Sequence, residues 1–151
     1  EGRNVVALRT MSKAYGLAGV RIGYGFGPAD LVDAYHRARE PFNTNLLAHA
    51  AAVAALDDDA HVEKTVANNT LGLARLKGLF EALGARPVES YANFAYADLG
   101  RDATPIFQGL LKRGVITRAG AHVGHPHCLR VSVGTPDELD HFEEAFRAEF
   151  A

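Results

Sequence analysis

The sequence is poor in cysteine, in net charge and in long apolar runs, and each shortage excludes a class of protein. Cys128 is the only cysteine among 151 residues, which excludes an internal disulfide framework and suits a reducing compartment, so we expect a cytoplasmic protein. A formal net charge of -2 gives no reason to expect binding to nucleic acid or to a membrane surface. No apolar run approaches the roughly 20 residues that a transmembrane helix needs.

What the sequence does contain is 48% hydrophobic residues, enough for a folded core, in alternating strand-like and helix-like stretches. Short apolar and β-branched runs predict strands over residues 4–8, 20–26, 93–99, 115–118 and 128–133. Helical spacing of apolar side chains predicts helices between Pro28 and Pro41, over about 45–83 with an interruption near 57–59, over 104–114, and after Thr135.

Two of these helices carry clear signals at their ends. Thr135 and Glu138 form a capping box around a proline at the first helical position. The last helix is then expected to bury a stripe formed by Leu139, Phe142, Phe146 and Phe150. Gly84 fits the position just past the end of the long helix.

The organisation of the chain predicts three parts. Residues 1–44 are expected to be the end of an α/β domain whose remainder is absent, residues 45–84 a connecting helix, and residues 85–151 a small, complete α+β domain. The sequence starts at Glu1 without a methionine and leads directly into a strand-like run, so we expect it to be a piece of a longer protein.

The stretch TMSKAYGLAGVRIGYGFG, residues 10–27, combines groups that suit a carbonyl cofactor. Lys13 follows two residues with hydroxyl side chains, Thr10 and Ser12, and precedes a run of small residues; Arg21 comes eight positions later. A neutral lysine amine reacts with carbonyls, and pyridoxal phosphate is the commonest such cofactor. The hydroxyls and the guanidinium would supply donors to its phosphate. A surface lysine followed by a glycine-rich turn is the alternative interpretation.

The segment from Thr10 to Tyr24 resembles the cofactor-lysine segment of fold type I, pyridoxal-phosphate-dependent aminotransferases, most of all the histidinol-phosphate aminotransferase branch. The similarity continues in order through four further motifs: REPFNTN (39–45), ANF (92–94), GVITR (114–118) and LRVSVGT (129–135). The resemblance therefore covers nearly the whole chain.

This resemblance implies an α/β fold class, the C-terminal part of a fold type I protein: the edge of the large α/β domain that binds pyridoxal phosphate, a long connecting helix and a small α+β domain. It implies that Lys13 holds the cofactor covalently and that Ser12, Arg21 and Thr10 bind its phosphate. The implied activity is amino transfer between histidinol phosphate and 2-oxoglutarate in histidine biosynthesis, in a cytoplasmic homodimer. An aromatic amino-acid aminotransferase and a threonine-phosphate decarboxylase are the alternatives within the class.

Three polar residues near the end of the chain are candidates for substrate binding. In LRVSVG, strand alternation sends Leu129 and Val131 to one face and Arg130 to the other. A solvated strand arginine is the ordinary interpretation, but a planar guanidinium also suits a carboxylate or a phosphate. The resemblance implies that Arg130 binds the substrate's acidic group, that Arg118 helps to hold the phosphate of histidinol phosphate, and that Asn93 contacts substrate.

Two other patterns compete with this interpretation. The loop AHVGHPHC places His122, His125, His127 and Cys128 within seven residues, but its compressed spacing argues against a metal site and we predict none. The glycines at positions 23, 25 and 27 lack the spacing of a dinucleotide fingerprint and fit a backbone that approaches a cofactor. A non-catalytic ligand-binding or metal-binding α/β fragment is the alternative from another functional class.

Several groups that the resembled family needs are absent from this sequence. The family's aspartate that pairs with the pyridine nitrogen, its ring-stacking aromatic residue and its second phosphate-binding loop belong to the N-terminal half. The implied activity is therefore that of a longer parent protein, and we expect that the 151-residue chain alone could be inactive.

Overall fold

The computed structural model describes residues 4–150, which form two compact units, one extending to Val66 and the other beginning at Ala67. The three-part division expected from the sequence stays a prediction. Within the described residues, none of the helices combines the length and the apolar character that crossing a membrane requires.

The first unit contains a two-stranded antiparallel sheet and helices. Its elements before the division are β1 (Ala7–Thr10), β2 (Gly23–Phe26), α1 (Ala29–Ala38) and α2 (Leu46–Leu56). The register of the sheet pairs Ala7 with Phe26 and Thr10 with Gly23. As predicted, α1 follows Pro28 and ends before Pro41.

Both strands of this sheet begin later than the sequence predicted. Strand β1 starts at Ala7 rather than at residue 4, since only the run from Ala7 has paired positions on β2. Strand β2 starts at Gly23 rather than at residue 20. A 3-10 turn over Ala18–Val20 and a φ of 55° at Arg21 interrupt the extended conformation before it.

The predicted helical tract is divided into α2 and α3 (Asp59–Ala82), and the break falls at the predicted aspartates. A short polar side chain caps the start of each helix. Asn45 Oδ1 accepts a hydrogen bond from the Ala48 N–H at 2.8 Å, and Asp58 Oδ1 accepts one from the His61 N–H at 3.0 Å. After α3, Gly84 has a φ of 81°, as its predicted place past the helix end requires.

The second unit packs helices against a four-stranded antiparallel sheet. Its strands lie in the order β3-β4-β6-β5. The strands are β3 (Arg86–Val88), β4 (Phe94–Asp98), β5 (Arg118–Ala119) and β6 (Cys128–Ser132), and the helices are the end of α3, α4 (Thr104–Lys112) and α5 (Pro136–Phe150). The core is formed by the helix side chains Leu76, Phe80, Leu110 and Phe146 and by the strand side chains Ala97 and Leu129.

Most of this unit follows the sequence prediction. Strands β4 and β6 and helix α4 lie within their predicted ranges. The capping box at the start of α5 is formed, because the Thr135 N–H donates to Glu138 Oε2 at 2.7 Å and the Glu138 N–H donates to Thr135 Oγ1 at 3.3 Å. Of the predicted stripe, Leu139, Phe142 and Phe146 are buried and Phe150 is half-buried.

Two strands differ from the prediction. The edge strand β3 was not predicted, since it has three residues and contains Pro87, which weakens any strand signal. Strand β5 was predicted over residues 115–118 but covers Arg118–Ala119. The Val115 N–H donates to the Leu110 carbonyl at 2.9 Å, so Val115 still belongs to the turn that ends α4.

Candidate active site

In the first unit, the connection between β1 and β2 presents Lys13 on a tight turn. Met11, the buried residue of this turn, donates its N–H to the Ile22 carbonyl at 3.2 Å and accepts one from Leu17 at 2.9 Å. The Gly16 N–H closes the turn on the Lys13 carbonyl at 2.9 Å. The Lys13 side chain is exposed, and within residues 4–150 its amine has no hydrogen bond or ion pair. The amine is therefore free to react or to bind.

The two hydroxyl residues lie on the same turn as Lys13. Thr10 Oγ1 accepts a hydrogen bond from the Ser12 N–H at 3.1 Å. A hydroxyl that accepts in this way keeps its own proton for another acceptor. Thr10 is exposed and Ser12 is half-buried. The turn thus offers hydroxyl donors beside the lysine, and their binding to a phosphate stays a prediction.

Arg21 adopts an unusual backbone conformation. Its φ of 55° and ψ of 56° lie in the left-handed region, which costs a non-glycine residue of the order of 1–3 kcal/mol and is concentrated at functional sites. Its guanidinium folds back and donates to the Ala18 carbonyl at 2.7 Å. This contact leaves most of the donors of an exposed guanidinium unused.

The glycines of β2 have an explanation within the sheet itself. A Cβ at Gly23 would lie 2.5 Å from the carbonyl oxygen of Arg9 on β1. The close approach of the two strands therefore requires glycine at this position. The approach of the backbone to a cofactor, which the sequence suggested, stays a prediction.

In the second unit, the sheet aligns three polar side chains across neighbouring strands. Arg130 on β6 is paired in register with Tyr96 on β4 and with Arg118 on β5. Side chains at directly opposed positions share one face of the sheet. Leu129 and Val131, which alternate with Arg130, are buried on the other face, as predicted.

The surroundings of Arg130 leave its donors available. Its guanidinium lies over the ring of Phe94, with the central carbon 5.1 Å from the ring centroid, a favourable cation–π arrangement. Its Nε is buried and has no hydrogen-bond partner within residues 4–150. Since buried donors are nearly always paired in folded proteins, this atom is a candidate for pairing with a ligand. The neighbouring Arg118 is exposed.

Asn93 lies at the entry to β4, and its side chain is exposed. Its backbone carbonyl accepts a hydrogen bond from the Val133 N–H at 3.0 Å, which links the start of β4 to the end of β6. The structure thus places Arg118 and Arg130 in one sheet, with Asn93 directly before its strand β4. Lys13, Thr10, Ser12 and Arg21 lie in the first unit.

Sequence reasoning missed Tyr96, which lies beside Arg130 in the sheet. Its hydroxyl is buried and has no hydrogen-bond partner in the described part of the chain. Burial, and to a lesser degree Cys128, raises the pKa of the Tyr96 phenol. Alternation in NFAYADL places Tyr96 on the face opposite the apolar core, but only strand pairing shows its neighbour.

The histidine loop does not assemble a metal site. His122, His125 and His127 are exposed, and His125 contacts the Tyr96 ring edge-on at 6.3 Å between centroids. Residues 4–150 contain no group of three or more His, Cys, Asp or Glu side chains that could hold a metal ion.

Comparison with known proteins shows the family to which the chain belongs. The family model for aminotransferase class I and II matches residues 1–146. The chain belongs to the class I and II aminotransferase family. Its fold is that of fold type I aminotransferases, and in particular of their C-terminal part.

Individual members of the aminotransferase family show how much of their own length the chain matches. It is 48% identical over 139 residues to histidinol-phosphate aminotransferase 2 of Pasteurella multocida, covering 92% of this chain and 38% of that protein. It is 49% identical over 138 residues to the histidinol-phosphate aminotransferase of Akkermansia muciniphila, covering 91% and 38%. The chain thus spans well under half the length of these relatives.

Among solved structures, the chain is similar to histidinol-phosphate aminotransferase from Sinorhizobium meliloti, determined in complex with pyridoxal-5'-phosphate. The TM-score is 0.90 at 30% sequence identity, and the match covers 97% of this chain and 41% of that structure. The aminotransferase fold is therefore shared over both units of the chain.

Proposed function

We propose that the protein, in the full length that its gene encodes, is a pyridoxal-phosphate-dependent aminotransferase that transfers an amino group between histidinol phosphate and 2-oxoglutarate. The observation that carries this proposal is the cross-strand pair of Arg118 and Arg130, two guanidiniums on one sheet face without a carboxylate partner in the described chain. Two adjacent cations suit substrates that carry a phosphate or two carboxylates. The identity of about half the residues with histidinol-phosphate aminotransferases supports the same conclusion.

The donor set of the Lys13 turn fits pyridoxal phosphate. The free, exposed amine of Lys13 suits a carbonyl, and the Thr10, Ser12 and Arg21 side chains suit a phosphate dianion. When bound, the cofactor supplies an electron sink for the carbanion formed at the carbon that carries the amino group. Lys13 would hold the cofactor covalently through Nζ. Once the substrate amine has displaced it, the freed Nζ would accept the proton of that carbon as a general base and deliver it to the cofactor carbon to which the lysine had been bonded.

The second unit supplies the recognition of substrate. Arg130 binds the acidic group of either substrate through two N–H groups of its guanidinium at once. The ring of Phe94 sets the position of that guanidinium. Arg118 adds a second cation for the phosphate of histidinol phosphate. Asn93 contacts substrate from the entry to β4. An aminotransferase must accept two different acidic substrates in turn, and a pair of guanidiniums serves both.

We also infer that the protein works as a cytoplasmic homodimer, and exposed apolar side chains of the first unit support an interface there. Helix α2 is apolar nearly all round, yet Leu46 and Leu47 are 82% and 78% exposed. Phe42 is 98% exposed and has a left-handed φ of 55°. A helix that is apolar on all sides is normally buried, so this surface suits contact with further protein.

Reduction and kinetics test the proposed activity. Borohydride treatment of the cofactor-loaded protein should fix the cofactor to the peptide that contains Lys13, identified by mass spectrometry. Lys64, Lys77 and Lys112 are the remaining lysines of the chain and serve as internal controls. Cofactor on any of them instead of Lys13 would overturn the assignment.

Specificity constants for histidinol phosphate, glutamate and phenylalanine decide between the aminotransferase alternatives. Arg130→Ala should raise the Michaelis constants for glutamate and for the phosphorylated substrate. Arg118→Ala should lower the specificity constant for histidinol phosphate more than those for glutamate or phenylalanine. Arg118→Lys should restore only part of the loss, because a point charge cannot make a two-pronged contact.

Two other outcomes would favour the alternative activities. Equal losses of the specificity constant for all three amino donors, with wild-type activity highest on phenylalanine, would favour an aromatic aminotransferase. Release of carbon dioxide from threonine phosphate would favour a decarboxylase.

A further inference from the structure

Two neighbouring asparagines of α3 form hydrogen bonds to the backbone next to β4 and β6, the strands beside the candidate substrate-binding residues Asn93 and Arg130. Asn69 Nδ2 donates a hydrogen bond to the Ala92 carbonyl at 3.0 Å. Asn68 Nδ2 donates to the Gly134 carbonyl, also at 3.0 Å. A carbonyl only accepts hydrogen bonds, so each amide must present its nitrogen here. The two bonds are equal in type and length, and they hold the same end of the sheet, one at the segment before β4 and the other at the segment after β6.

The bond made by Asn69 acts on the segment that surrounds Arg130. Ala92 directly precedes Asn93, whose carbonyl pairs with the Val133 N–H. The next residue, Phe94, carries the ring over which the Arg130 guanidinium lies at 5.1 Å. A shift of the Ala92 carbonyl would therefore move the Asn93 side chain and the ring beneath the guanidinium together.

The amide oxygen of Asn69 indicates that this side chain does more than stabilise the fold. Its Oδ1 is buried and has no hydrogen-bond partner within residues 4–150. A buried acceptor without a partner destabilises a fold, whereas an apolar side chain of similar size would fill the same space without that cost. The bond from Asn69 Nδ2 to the Ala92 carbonyl stabilises the fold, but the unpaired Oδ1 offsets part of that gain, so a fixed position of the Ala92 carbonyl is a further reason for asparagine here.

We propose that Asn69 is a positioning residue for substrate binding. It fixes the entry to β4 so that the Asn93 side chain and the Arg130 guanidinium meet the acidic group of the substrate at a set separation. This inference rests on the proposed function, because it takes Asn93 and Arg130 as the residues that receive that group. Asn68 has no such role, since Gly134 leads into α5, whereas Ala92 is directly followed by Asn93 and Phe94.

Asn68 therefore provides a matched control for Asn69. The variants Asn69→Ala and Asn68→Ala each remove one amide-to-carbonyl hydrogen bond from the same helix and should lower resistance to urea to a similar extent. Both substitutions at Asn69 remove the unpaired acceptor, but Asn69→Leu keeps the number of side-chain heavy atoms and leaves no cavity, so it should be more stable than Asn69→Ala. Together the three variants separate a loss of folding stability from a loss of positioning.

The measurement is binding of glutarate, a dicarboxylate without an amino or keto group, to the cofactor-loaded, full-length protein by calorimetry. We expect Asn69→Ala to raise the dissociation constant about tenfold or more, since a misplacement of about 1 Å costs up to about a hundredfold. Asn69→Leu should bind as weakly as Asn69→Ala, and Asn68→Ala should bind as wild type does. With glutamate as donor, Asn69→Ala should raise KM much more than it lowers kcat.

Equal weakening of glutarate binding by Asn69→Ala and Asn68→Ala would overturn the proposal, and so would wild-type binding by Asn69→Leu. The binding arm needs no turnover, so its result is distinct from a failure of the proposed function. A wild-type protein that forms no amino-transfer product would refute that function, while the comparison of the asparagine variants would still decide the role of Asn69.

Discussion

Arg118 and Arg130 are directly opposed on β5 and β6, two cations side by side on one face of the sheet. Like charges at directly opposed positions destabilise a sheet. Neither guanidinium forms an ion pair in the part of the chain that the structure describes. The sheet thus keeps an unfavourable pair that an anionic ligand would neutralise.

The first prediction follows from this pair. Arg118→Gln should raise the free energy of unfolding by about 0.2–1 kcal/mol, because it removes a like-charge contact. Urea denaturation at low ionic strength measures the gain, which should shrink as salt screens the charges. Added phosphate should stabilise wild type more than the variant.

The matched control for this prediction is Arg113→Gln. Arg113 Nε lies 2.6 Å from Glu149 Oε1 in an ion pair, so the same substitution there should lower stability slightly or leave it unchanged. A loss of stability in Arg118→Gln as large as that in Arg113→Gln would contradict the repulsion between Arg118 and Arg130.

A second prediction separates the side chain of Arg21 from its backbone conformation. Arg21→Gly and Arg21→Ala both remove the guanidinium, so both should release the cofactor far more readily than wild type. Glycine accepts the φ of 55° without strain, so Arg21→Gly should be more stable than Arg21→Ala by about 1 kcal/mol. Cofactor retention after gel filtration and urea denaturation measure the two effects. Wild-type retention in either variant would show that Arg21 is not a phosphate ligand.

A third prediction concerns the contact between α3 and the end of β6. A Cβ at Gly72 would lie 2.3 Å from Val133 Cγ1, so Gly72→Ala should destabilise the second unit by about 1–3 kcal/mol. Gly78 lies on the same helix with open space around its Cβ position, and Gly78→Ala should stabilise by about 0.5–1 kcal/mol. Thermal unfolding compares the two variants. Similar effects of both substitutions would mean that α3 does not pack closely on Val133.

A fourth prediction concerns stability in acid. Arg147 first, and then Arg75, holds the pKa of Glu143 below its ordinary value. The carboxylate therefore contributes stability that is present above the ordinary glutamate pKa of about 4.3 and is lost as the pH falls through the lower folded value. Glu143→Gln should be less stable than wild type at pH 7, and the difference should disappear in acid. A difference that stays constant from neutral to acid pH would contradict this linkage.

Much of the fold could be predicted because its signals are local. The capping box at Thr135, the interruption near Asp58 and the end of α3 before Gly84 each depend on a few adjacent residues, and all three lie where the sequence placed them. Strand limits were less predictable. Strand β1 lacks its predicted first residues because a strand ends where its partner ends, and β2 covers only four residues.

The candidate site also has features that the sequence predicted and features that only the structure showed. The residue types at Lys13, Arg118 and Arg130 and the alternation around Arg130 could be read from the sequence, since side-chain direction in a strand follows a period of two. The sequence did not reveal that Arg118 faces Arg130, or that Tyr96 lies on its other side. These neighbours are separated by a dozen or more positions along the chain.

The sequence by itself determined the order of helices and strands, the exposed face of β6 and the family resemblance, because propensity, capping and motif spacing act over short stretches of chain. Only the tertiary structure decided the register of β4, β5 and β6, and with it the paired cations and the unpaired Nε of Arg130. It alone decided that Asn69 holds the Ala92 carbonyl, 23 positions away. Hydrogen bonding and burial between distant segments depend on the packed chain, and no local pattern encodes them.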